Sequence, residues 1–452
     1  MAEVLTTGAC RFWPPERLRV ALVAAGSGAD YCGSCFHSAE LARSLQAVGV
    51  EAVIVPTYLP LDPASDCLPQ TRVFFGGVSV FLEQVIPLFR YTPAWLDRLW
   101  EGRWLLRLLG RLSGVTRPEK LGPLTVSMLA GQEGHQRKEI DKLVDFLRTE
   151  LRPHVVHLST GLLAGVGEEI ARQLNVPVVC TMAGEDQFLD RLSEPYRARA
   201  YTLIRQKLEA ISAVVALSRY YGARCIDRFG LKREKVTVIP PGVSTPNKVP
   251  RQASADNGRD GLPVRIGFLG RLCPEKGIGI LSDAVAQLAE SLSTSFFEIR
   301  LAGRIRRDYR SAWQRKVKGL SRQGVNMTYL GPLSPQEKEE FFATVDLMVL
   351  PSLVPEPKAV TAIESVARGI PVIAPAEGAL LEIVGQTGIG ELYWPNTAER
   401  LAGVLERWIK DFVHKPATDR YTMGLRPSGY YQAERMARQT VALYGRLLWP
   451  VE

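Results

Sequence analysis

Long hydrophobic runs are missing from this chain of 452 residues. No apolar stretch approaches the ~20 residues that a membrane-spanning helix needs. The stretch Leu18 to Ala25 is apolar but short, and Gly26-Ser27-Gly28 follows it, so it predicts a first β-strand rather than a signal peptide. We therefore expect a cytoplasmic protein, with attachment to the inner face of the membrane as the alternative. The length predicts two or three domains, each with its own core.

Cysteine is also scarce. The seven cysteines are odd in number and scattered, which indicates free thiols in a reducing compartment rather than a disulfide framework. The closest pair, Cys32 and Cys35 in Cys-Gly-Ser-Cys with His37 nearby, could be redox-active or bind a metal. No second pair with ligand spacing completes a zinc site. The favoured interpretation is a glycine-bearing turn before a helix, and we expect no metal.

The net charge of +9 allows anionic partners such as nucleoside diphosphates, nucleic acid or anionic lipid. The densest basic stretch runs from Arg304 to Arg322 and contains a single acid, Asp308. Its two aromatic residues, Tyr309 and Trp313, are too few for the stacking platform of a single-strand binder. The stretch therefore predicts a solvated helix face, and we expect no nucleic-acid partner.

Short β-rich runs alternate with amphipathic helical segments along the chain. Strands are predicted at Leu18–Ala25, Glu51–Pro56, Val155–Leu158, Val176–Thr181, Ala213–Leu217, Val236–Ile239, Val264–Leu269, Phe297–Ala302, Val325–Leu330, Asp346–Leu350 and Gly369–Ala374. This alternation predicts an α/β fold with doubly wound, mostly parallel sheets covered by helices.

A polar, charged stretch with glycine and proline interrupts the alternation and reads as a linker. The predicted organisation is an N-terminal tail at 1–17, a first domain at 18–244, the linker at 245–262, a second domain at 263–428 and a C-terminal helical segment at 429–452. The helix itself is predicted at Tyr430–Leu448.

Two glutamates eight positions apart form the most informative segment. Glu356 lies in a loop directly after the apolar strand Asp346–Leu350, and Glu364 lies one turn into a helix predicted at Thr361–Arg368. Open α/β sheets bind ligands outside the carboxyl ends of their strands, so both carboxylates can face one ligand there. Two glutamates at this spacing also occur by chance, so the context must decide.

A second segment, Gly-Arg-Leu-Cys-Pro-Glu-Lys-Gly at 270–277, follows the strand Val264–Leu269. Arg271 and Lys276 place two cations at the end of that strand. Lys276 also precedes a helix start, whose free N–H groups favour anions. A guanidinium can bind a phosphate bidentately, whereas the lysine acts as a point charge. The alternative is a pair of surface cations.

The two segments together resemble the signature of the retaining glycosyltransferases of family 4, which have the GT-B fold of two Rossmann-like domains facing a central cleft. The resemblance implies that Arg271 and Lys276 hold the diphosphate of a nucleotide-sugar donor. It implies that Glu364 binds the ribose hydroxyls and that Glu356 lies at the donor sugar as the catalytic candidate. The further donor-binding residues that it implies are Gly270 and Ser334, and Lys358, which lies two positions after Glu356 in the sequence, is an added candidate.

The segment departs from the family pattern after Pro357, where Phe-Gly is common and Lys358-Ala359 stands here. Ala359 in place of glycine constrains the turn. Lys358 adds a cation to the phosphate site. The departure bears on the identity of the sugar and on activity itself.

The first half resembles the family more generally. The glycine-rich loop with Gly26, Gly28 and Gly33 resembles the loop that borders the acceptor and the diphosphate. It is not a dinucleotide fingerprint, because Tyr31 occupies the third glycine position.

Glu185 and Asp186 follow the strand Val176–Thr181, in a loop where many family members carry a histidine. They are candidate contacts to the sugar or the acceptor. The alternative is a β–α turn with an acidic helix cap. His157, which ends an apolar strand, is expected to be structural.

The segment 81–112 combines Trp95, Trp100 and Trp104 with many leucines and arginines. That composition is typical of an interfacial amphipathic helix, which would give a peripheral membrane contact and suit a lipid-linked acceptor. The favoured alternative is a buried or lid-forming segment, because Asp97 and Glu101 interrupt the basic face.

The resemblance implies a metal-independent, retaining transfer of a hexose-type sugar to the hydroxyl of a glycan, lipid-linked or small-molecule acceptor. The chain has no Asp-x-Asp, which argues against a metal-clamped GT-A transferase, and we expect no cofactor. One alternative is another activity on sugar nucleotides, such as epimerisation. The non-enzymatic alternative is a catalytically degenerate sugar-nucleotide-binding or membrane-surface scaffold, which Lys358, Ala359 and the missing histidine would favour.

Overall fold

The computed structural model describes residues 17–25, 33–57, 121–244, 263–414 and 429–450. They form two compact units. Unit 1 comprises the described residues up to Leu217, then Tyr221–Pro240 and the residues from Ala433 onward. Unit 2 comprises Ser218–Tyr220 and the described part of Pro241–Gln432.

Unit 1 is built on a six-stranded parallel sheet with the strand order β2-β1-β3-β4-β5-β6. The strands are β1 (Arg19–Ala24), β2 (Glu51–Pro56), β3 (Val155–Leu158), β4 (Val178–Met182), β5 (Ala213–Ala216) and β6 (Val236–Val238). The strands β3, β4 and β5 are buried at every position, as expected for apolar runs without alternation. All six predicted strands are confirmed.

Seven helices accompany this sheet in the described part of the chain before residue 244. They are α1 (Gly33–Ala47), α2 (Gly122–Ala130), α3 (Arg137–Phe146), α4 (Ala164–Leu174), α5 (Glu185–Leu189), α6 (Tyr196–Glu209) and α7 (Arg219–Phe229). The last helix, α14 (Ala433–Leu448), also belongs to unit 1, where it packs against α1. Its buried Met436, Leu443 and Tyr444 share one hydrophobic core with Leu45 of α1.

A buried histidine joins α14 to the sheet. Nδ1 of His157, on β3, lies 2.6 Å from the Tyr444 hydroxyl, and its Nε2 lies 2.7 Å from the Thr181 hydroxyl. Burial lowers the pKa of His157 to about 3. The imidazole is therefore neutral at physiological pH and holds strand and helix together, so the expectation that it is structural is confirmed.

Unit 2 is built on a second six-stranded parallel sheet with the order β12-β11-β10-β7-β8-β9. Its strands are β7 (Val264–Leu269), β8 (Phe297–Ala302), β9 (Asn326–Tyr329), β10 (Leu347–Val349), β11 (Val372–Pro375) and β12 (Gly390–Tyr393). Its helices are α8 (Ile278–Ser291), α9 (Arg310–Arg322), α10 (Pro335–Thr344), α11 (Val360–Ala367), α12 (Gly378–Thr387) and α13 (Ala398–His414).

The sequence pattern did not predict β12. This strand is short and half-buried, and it begins at Gly390, whose φ is +128°. An added Cβ at Gly390 would lie 2.1 Å from the carbonyl oxygen of Val372, so the strand pairs with β11 only because glycine stands there. Neither alternation nor a continuous apolar run marks such a strand.

Replacing His157 should change how the stability of unit 1 depends on pH. The folded-state pKa is depressed from 6.5 to about 3. The stability that the neutral, buried His157 contributes is therefore complete above the unfolded-state pKa. It is lost as the pH falls from about 6.5 toward 3. His157→Gln should make the free energy of unfolding fall less steeply there, by about 1.4 kcal/mol per pH unit. Denaturant unfolding at several pH values measures this.

Tyr444→Phe is the control, because it removes a hydrogen bond and keeps the imidazole. It should lower stability by roughly 1 kcal/mol at each pH and leave the slope as in the wild type. Equal slopes in the wild type and His157→Gln would contradict the prediction.

Candidate functional site

The second sheet reverses its winding direction at β7. From β7 the chain proceeds outward through β8 and β9, and then returns to the other side of β7 to form β10 and its neighbours. The loops that leave the carboxyl ends of β7 and β10 therefore diverge and leave a crevice between them. Such a switch point is where open α/β sheets bind ligands. Both segments singled out in the sequence lie at this point.

The loop after β7 is joined to the loop after β8 through the backbone. The N–H of Leu272 donates to the carbonyl of Arg304 at 2.9 Å, and the N–H of Arg306 donates to the carbonyl of Leu272 at 3.1 Å. Gly303 has a φ of +122°, and an added Cβ would lie 1.9 Å from the carbonyl oxygen of Gly270. The predicted site residue Gly270 is thus part of a close backbone crossing.

The end of the same loop lies against the loop after β10. Gly277 precedes α8 with a φ of +70°, and an added Cβ would lie 1.7 Å from the carbonyl oxygen of Pro351. The N–H of Leu353 donates to the carbonyl of Glu275 at 3.0 Å. Only glycine allows the two loops to approach so closely. The approach brings Lys276, directly before Gly277, to Glu356.

The side chains of Lys276 and Glu356 form an ion pair across these two loops. Oε1 of Glu356 accepts from both Lys276 and the hydroxyl of Ser352. Burial acts to raise the pKa of Glu356, but the charge of Lys276, its hydrogen bond, that of Ser352 and the charge of Lys358 together lower it. Glu356 is therefore ionised at neutral pH. No described residue donates to its other oxygen, Oε2.

The second glutamate is held by a lysine that the sequence interpretation missed. Nζ of Lys338, on α10, lies 2.6 Å from Oε1 of Glu364, on α11, and both side chains are buried. Here too the described residues supply no donor to Oε2 of the carboxylate. The sequence does contain a signal for this lysine. Lys338 lies three and four positions before Phe341 and Phe342, so it shares the buried face of their helix.

Arg271 has a different environment. Its side chain is exposed, and none of the carboxylates that the structure describes pairs with it. Its position directly after β7 leaves the guanidinium to solvent at the crevice. Lys358 is half-buried after β10 and contributes positive charge at Glu356.

Ala359 takes a backbone conformation that glycine adopts freely and other residues rarely adopt. Its φ is +43° and its ψ is 52°, in the left-handed region, directly before α11. This conformation costs about 1–2 kcal/mol for a residue with a Cβ. The turn that sets the start of α11 is therefore kept at the expense of local strain.

Ser334, the predicted donor contact, is the N-cap of α10. Its hydroxyl accepts from the N–H of Glu337 at 3.3 Å, and the Glu337 carboxylate accepts from the N–H of Ser334 at 2.8 Å. This capping box fixes the first turn of α10 and with it the position of Lys338. Contact between Ser334 and a ligand stays a prediction.

In unit 1, Glu185 is buried and accepts five hydrogen bonds. The donors to its carboxylate are Thr160 Oγ1, the backbone N–H groups of Gly161, Ala183 and Gly184, and the Tyr221 hydroxyl. Asp186 is fully buried and accepts from Tyr221 at 3.0 Å and from Arg224 at 2.8 and 2.6 Å. Contact between either carboxylate and a substrate stays a prediction, and no side chain caps α5.

The remaining predictions for unit 1 fall largely outside the described residues. These are Gly26, Gly28, Cys32 and the segment 81–112, whereas Gly33 begins α1. Within the ranges that the structure covers, no helix is both long and apolar enough to cross a membrane. The same ranges contain no group of three or more His, Cys, Asp and Glu side chains placed to hold a metal ion.

Taken together, the fold and the crevice define a protein with two doubly wound α/β units, the second of which has an exposed arginine and two lysine–glutamate pairs at its switch point. Residues 251–420 match the family of glycosyl transferases group 1, and residues 33–242 match the glycosyl transferase 4-like domain. The chain belongs to the group 1, family 4 glycosyltransferases and has the two sheets of the GT-B fold.

Two curated relatives illustrate the similarity. The chain is 28% identical over 270 residues to the D-inositol 3-phosphate glycosyltransferase of Acidothermus cellulolyticus, an alignment that covers 56% of this chain and 59% of the relative. It is 27% identical over 240 residues to the mannosylfructose-phosphate synthase of Agrobacterium fabrum, covering 50% of this chain and 51% of the relative. The chain thus spans little more than half the length of these relatives.

Two solved structures support the fold. One is HepE of Anabaena in complex with UDP, at 18% identity and a TM-score of 0.63, with 95% of this chain and 100% of that chain covered. The other is sucrose-phosphate synthase from Thermosynechococcus elongatus, at 19% identity and a TM-score of 0.63, with 95% and 99% covered.

Gly277→Ala should disrupt the site. The added methyl group would overlap the carbonyl of Pro351 in a left-handed conformation, which should cost roughly 1–3 kcal/mol for the overlap and about 1–2 kcal/mol for the backbone. The thermal midpoint of unfolding measures the loss.

Gly279→Ala, two residues along in α8, is the matched control. Its Cβ would meet nothing closer than the Tyr309 hydroxyl at 3.9 Å. It should be neutral or stabilise the helix by about 0.5–1 kcal/mol. Equal midpoints for the two variants would contradict the close approach at Gly277.

Proposed function

We propose that this chain transfers a sugar from a nucleoside diphosphate to an acceptor hydroxyl, with retention of anomeric configuration and without a metal ion. The observation that carries the proposal is the arrangement at the switch point of unit 2, where an exposed arginine lies with two lysine-held glutamates. Support also comes from relatives named as glycosyltransferases and from HepE complexes with UDP and UDP-glucose.

The diphosphate would lie between the β7 loop and the N-terminus of α8. Cleavage of the sugar–phosphate bond leaves new negative charge on the diphosphate, and fixed cations stabilise it without reorganisation. Arg271 suits this role because it is exposed and a guanidinium can bind phosphate through two hydrogen bonds. Lys276 has three N–H donors, so it can retain Glu356 and still contact a phosphate oxygen.

The donor sugar would lie next to Glu356. Its Oε1 is fixed by Lys276 and Ser352, and Oε2 is left for a sugar hydroxyl. In the reaction, the bond from the anomeric carbon to the phosphate oxygen breaks, and a bond to the acceptor oxygen forms on the same face. The acceptor proton passes to the departing phosphate. The ionised Glu356 stabilises positive charge that develops on the sugar ring.

The ribose would lie next to Glu364, whose Oε2 is the free acceptor for a hydroxyl. The acceptor substrate would be bound by unit 1, as a glycan, a lipid-linked sugar or a small molecule. We place the reaction in the cytoplasm, with the segment 81–112 as the candidate for contact with a membrane surface. A degenerate scaffold is the competing function, since Lys358 and Ala359 depart from the family pattern at the donor site.

The donor site is tested by the effect of nucleotides on thermal stability. UDP, GDP, ADP and TDP are each added at millimolar concentration, and the one that the native state binds should raise the melting temperature. Its 2′,3′-dideoxy form should bind more weakly. In Glu364→Gln, the affinity gap between the two ligands should shrink by roughly 1–1.5 kcal/mol, because a hydrogen bond to a charged group becomes a neutral one.

Glutamine is the better replacement because its amide oxygen can still accept a hydrogen bond from the buried Lys338, whereas Glu364→Ala removes this acceptor altogether. An unchanged gap in Glu364→Gln would refute the ribose assignment. No stabilisation by any of the four nucleotides would favour the scaffold.

Arg271→Ala should reduce turnover more than donor binding. With the matching nucleotide sugar, release of free sugar in the absence of an acceptor reports on bond cleavage. We expect kcat to fall roughly 10²–10³-fold, with a smaller change in KM, because the charge appears in the transition state. Arg322→Ala removes an exposed arginine at the C-terminal end of α9 and should change neither kcat nor KM. Equal losses in kcat/KM and in ground-state affinity would instead assign Arg271 to anchoring.

A further inference from the structure

Lys338 occupies a position that its helix reserves for an apolar side chain. The buried residues of α10 are Lys338, Phe341 and Phe342, at the spacing of one helix face. A helix of a globular protein presents apolar residues at such positions. The side chain of Lys338 is only 8% exposed, and that of its partner Glu364 only 2%. The pair thus breaks the pattern of the core on both helices.

The pair is not needed to join the two helices. Arg368, which directly follows α11, already makes a two-bond ion pair with Glu339 of α10, at 3.0 and 2.6 Å. Its guanidinium also lies 4.7 Å from the centre of the Phe342 ring. A buried ion pair, by contrast, is often no more stabilising than apolar residues of similar volume. Stability alone therefore gives little reason for a lysine at 338.

The geometry gives another reason. Lys338 binds one oxygen of Glu364, so it fixes the rotation of the buried carboxylate. The second oxygen accepts no hydrogen bond from the described residues. We infer that Lys338 is a positioning residue, which aims the open oxygen of Glu364 at the ribose of the nucleotide. This inference rests on the proposed function, and it concerns a residue that does not itself touch the ligand.

The inference predicts a loss confined to the ribose. In Lys338→Met, an apolar side chain of similar length fills the space, but the carboxylate loses its cation. A buried unpaired carboxylate takes up a proton more readily. The charged hydrogen bond to the ribose is then lost near neutral pH and returns as the pH rises. Binding through the base and the diphosphate should be unaffected.

The test compares two ligands by isothermal titration calorimetry. They are the ribonucleoside diphosphate selected by the four-nucleotide screen and its 2′,3′-dideoxy form, each measured between pH 6 and 9. At pH 7 the wild type should prefer the ribonucleotide, and Lys338→Met should lower that preference roughly tenfold. In the variant the preference should recover toward pH 9, whereas in the wild type it should be constant. Lys338→Arg should retain most of the preference.

Glu339→Gln is the matched control, because it breaks the neighbouring ion pair with Arg368 and leaves the side-chain pair of Lys338 and Glu364 in place. It should lower the melting temperature and leave the preference unchanged. An unchanged, pH-independent preference in Lys338→Met would overturn the inference, whatever happens to stability.

A double variant covers the case in which Lys338→Met does not fold. Lys338→Met with Glu364→Gln has no buried charge, and it should bind the ribonucleotide as Glu364→Gln does. A further loss in the double variant would mean that Lys338 acts on the ligand directly, which overturns positioning. If the wild type binds no nucleotide, the proposed function and this inference fail together. If it binds one and shows no preference for the ribonucleotide, the ribose assignment and the inference fail, and the donor site remains.

Discussion

The pairing of each glutamate with a lysine from another element is the constraint on which the rest of unit 2 depends. A carboxylate removed from water must be paired or hydrogen-bonded, or it does not remain charged. Glu356 and Glu364 lie on one segment, but their lysines come from the β7 loop and from α10. The fold must therefore bring three separate stretches together, and the glycine at 277 and the capping box at Ser334 are the local features that allow it.

The two pairs differ in burial, and that difference separates their roles. The side chains of Lys276 and Glu356 are 31% and 17% exposed. Ion pairs near the surface contribute only about 0–1 kcal/mol, so a diphosphate can recruit Lys276 at little cost. Lys338 and Glu364 are buried, and separating a buried pair costs about 3–5 kcal/mol. The pair of Lys276 and Glu356 can therefore adjust to a ligand, whereas the pair of Lys338 and Glu364 is a fixed part of the structure.

Much of this could be predicted from the sequence because the elements are local. Apolar runs predicted the parallel strands, and the cations and carboxylates next to them predicted the site at the second sheet. The sequence could not predict how many hydrogen-bond donors the fold brings to a given side chain. Glu185 follows a strand end, as Glu356 does, yet its carboxylate accepts five hydrogen bonds, three of them from the distant Thr160, Gly161 and Tyr221. Nothing local to Glu185 distinguishes it from a carboxylate that is open to a ligand.

Two residues of unit 2 that break local rules lie beside the two glutamates. Lys338 stands in an apolar stripe, and Ala359 adopts a left-handed conformation suited to glycine. Each is unfavourable by itself, and a sequence selected only for stability would replace both. Both residues act on Glu364. Lys338 orients its carboxylate, and Ala359 sets the start of the helix that carries it. A buried lysine and a left-handed alanine thus meet at the elements that aim one carboxylate, which is expected when position, rather than stability, is what the site requires.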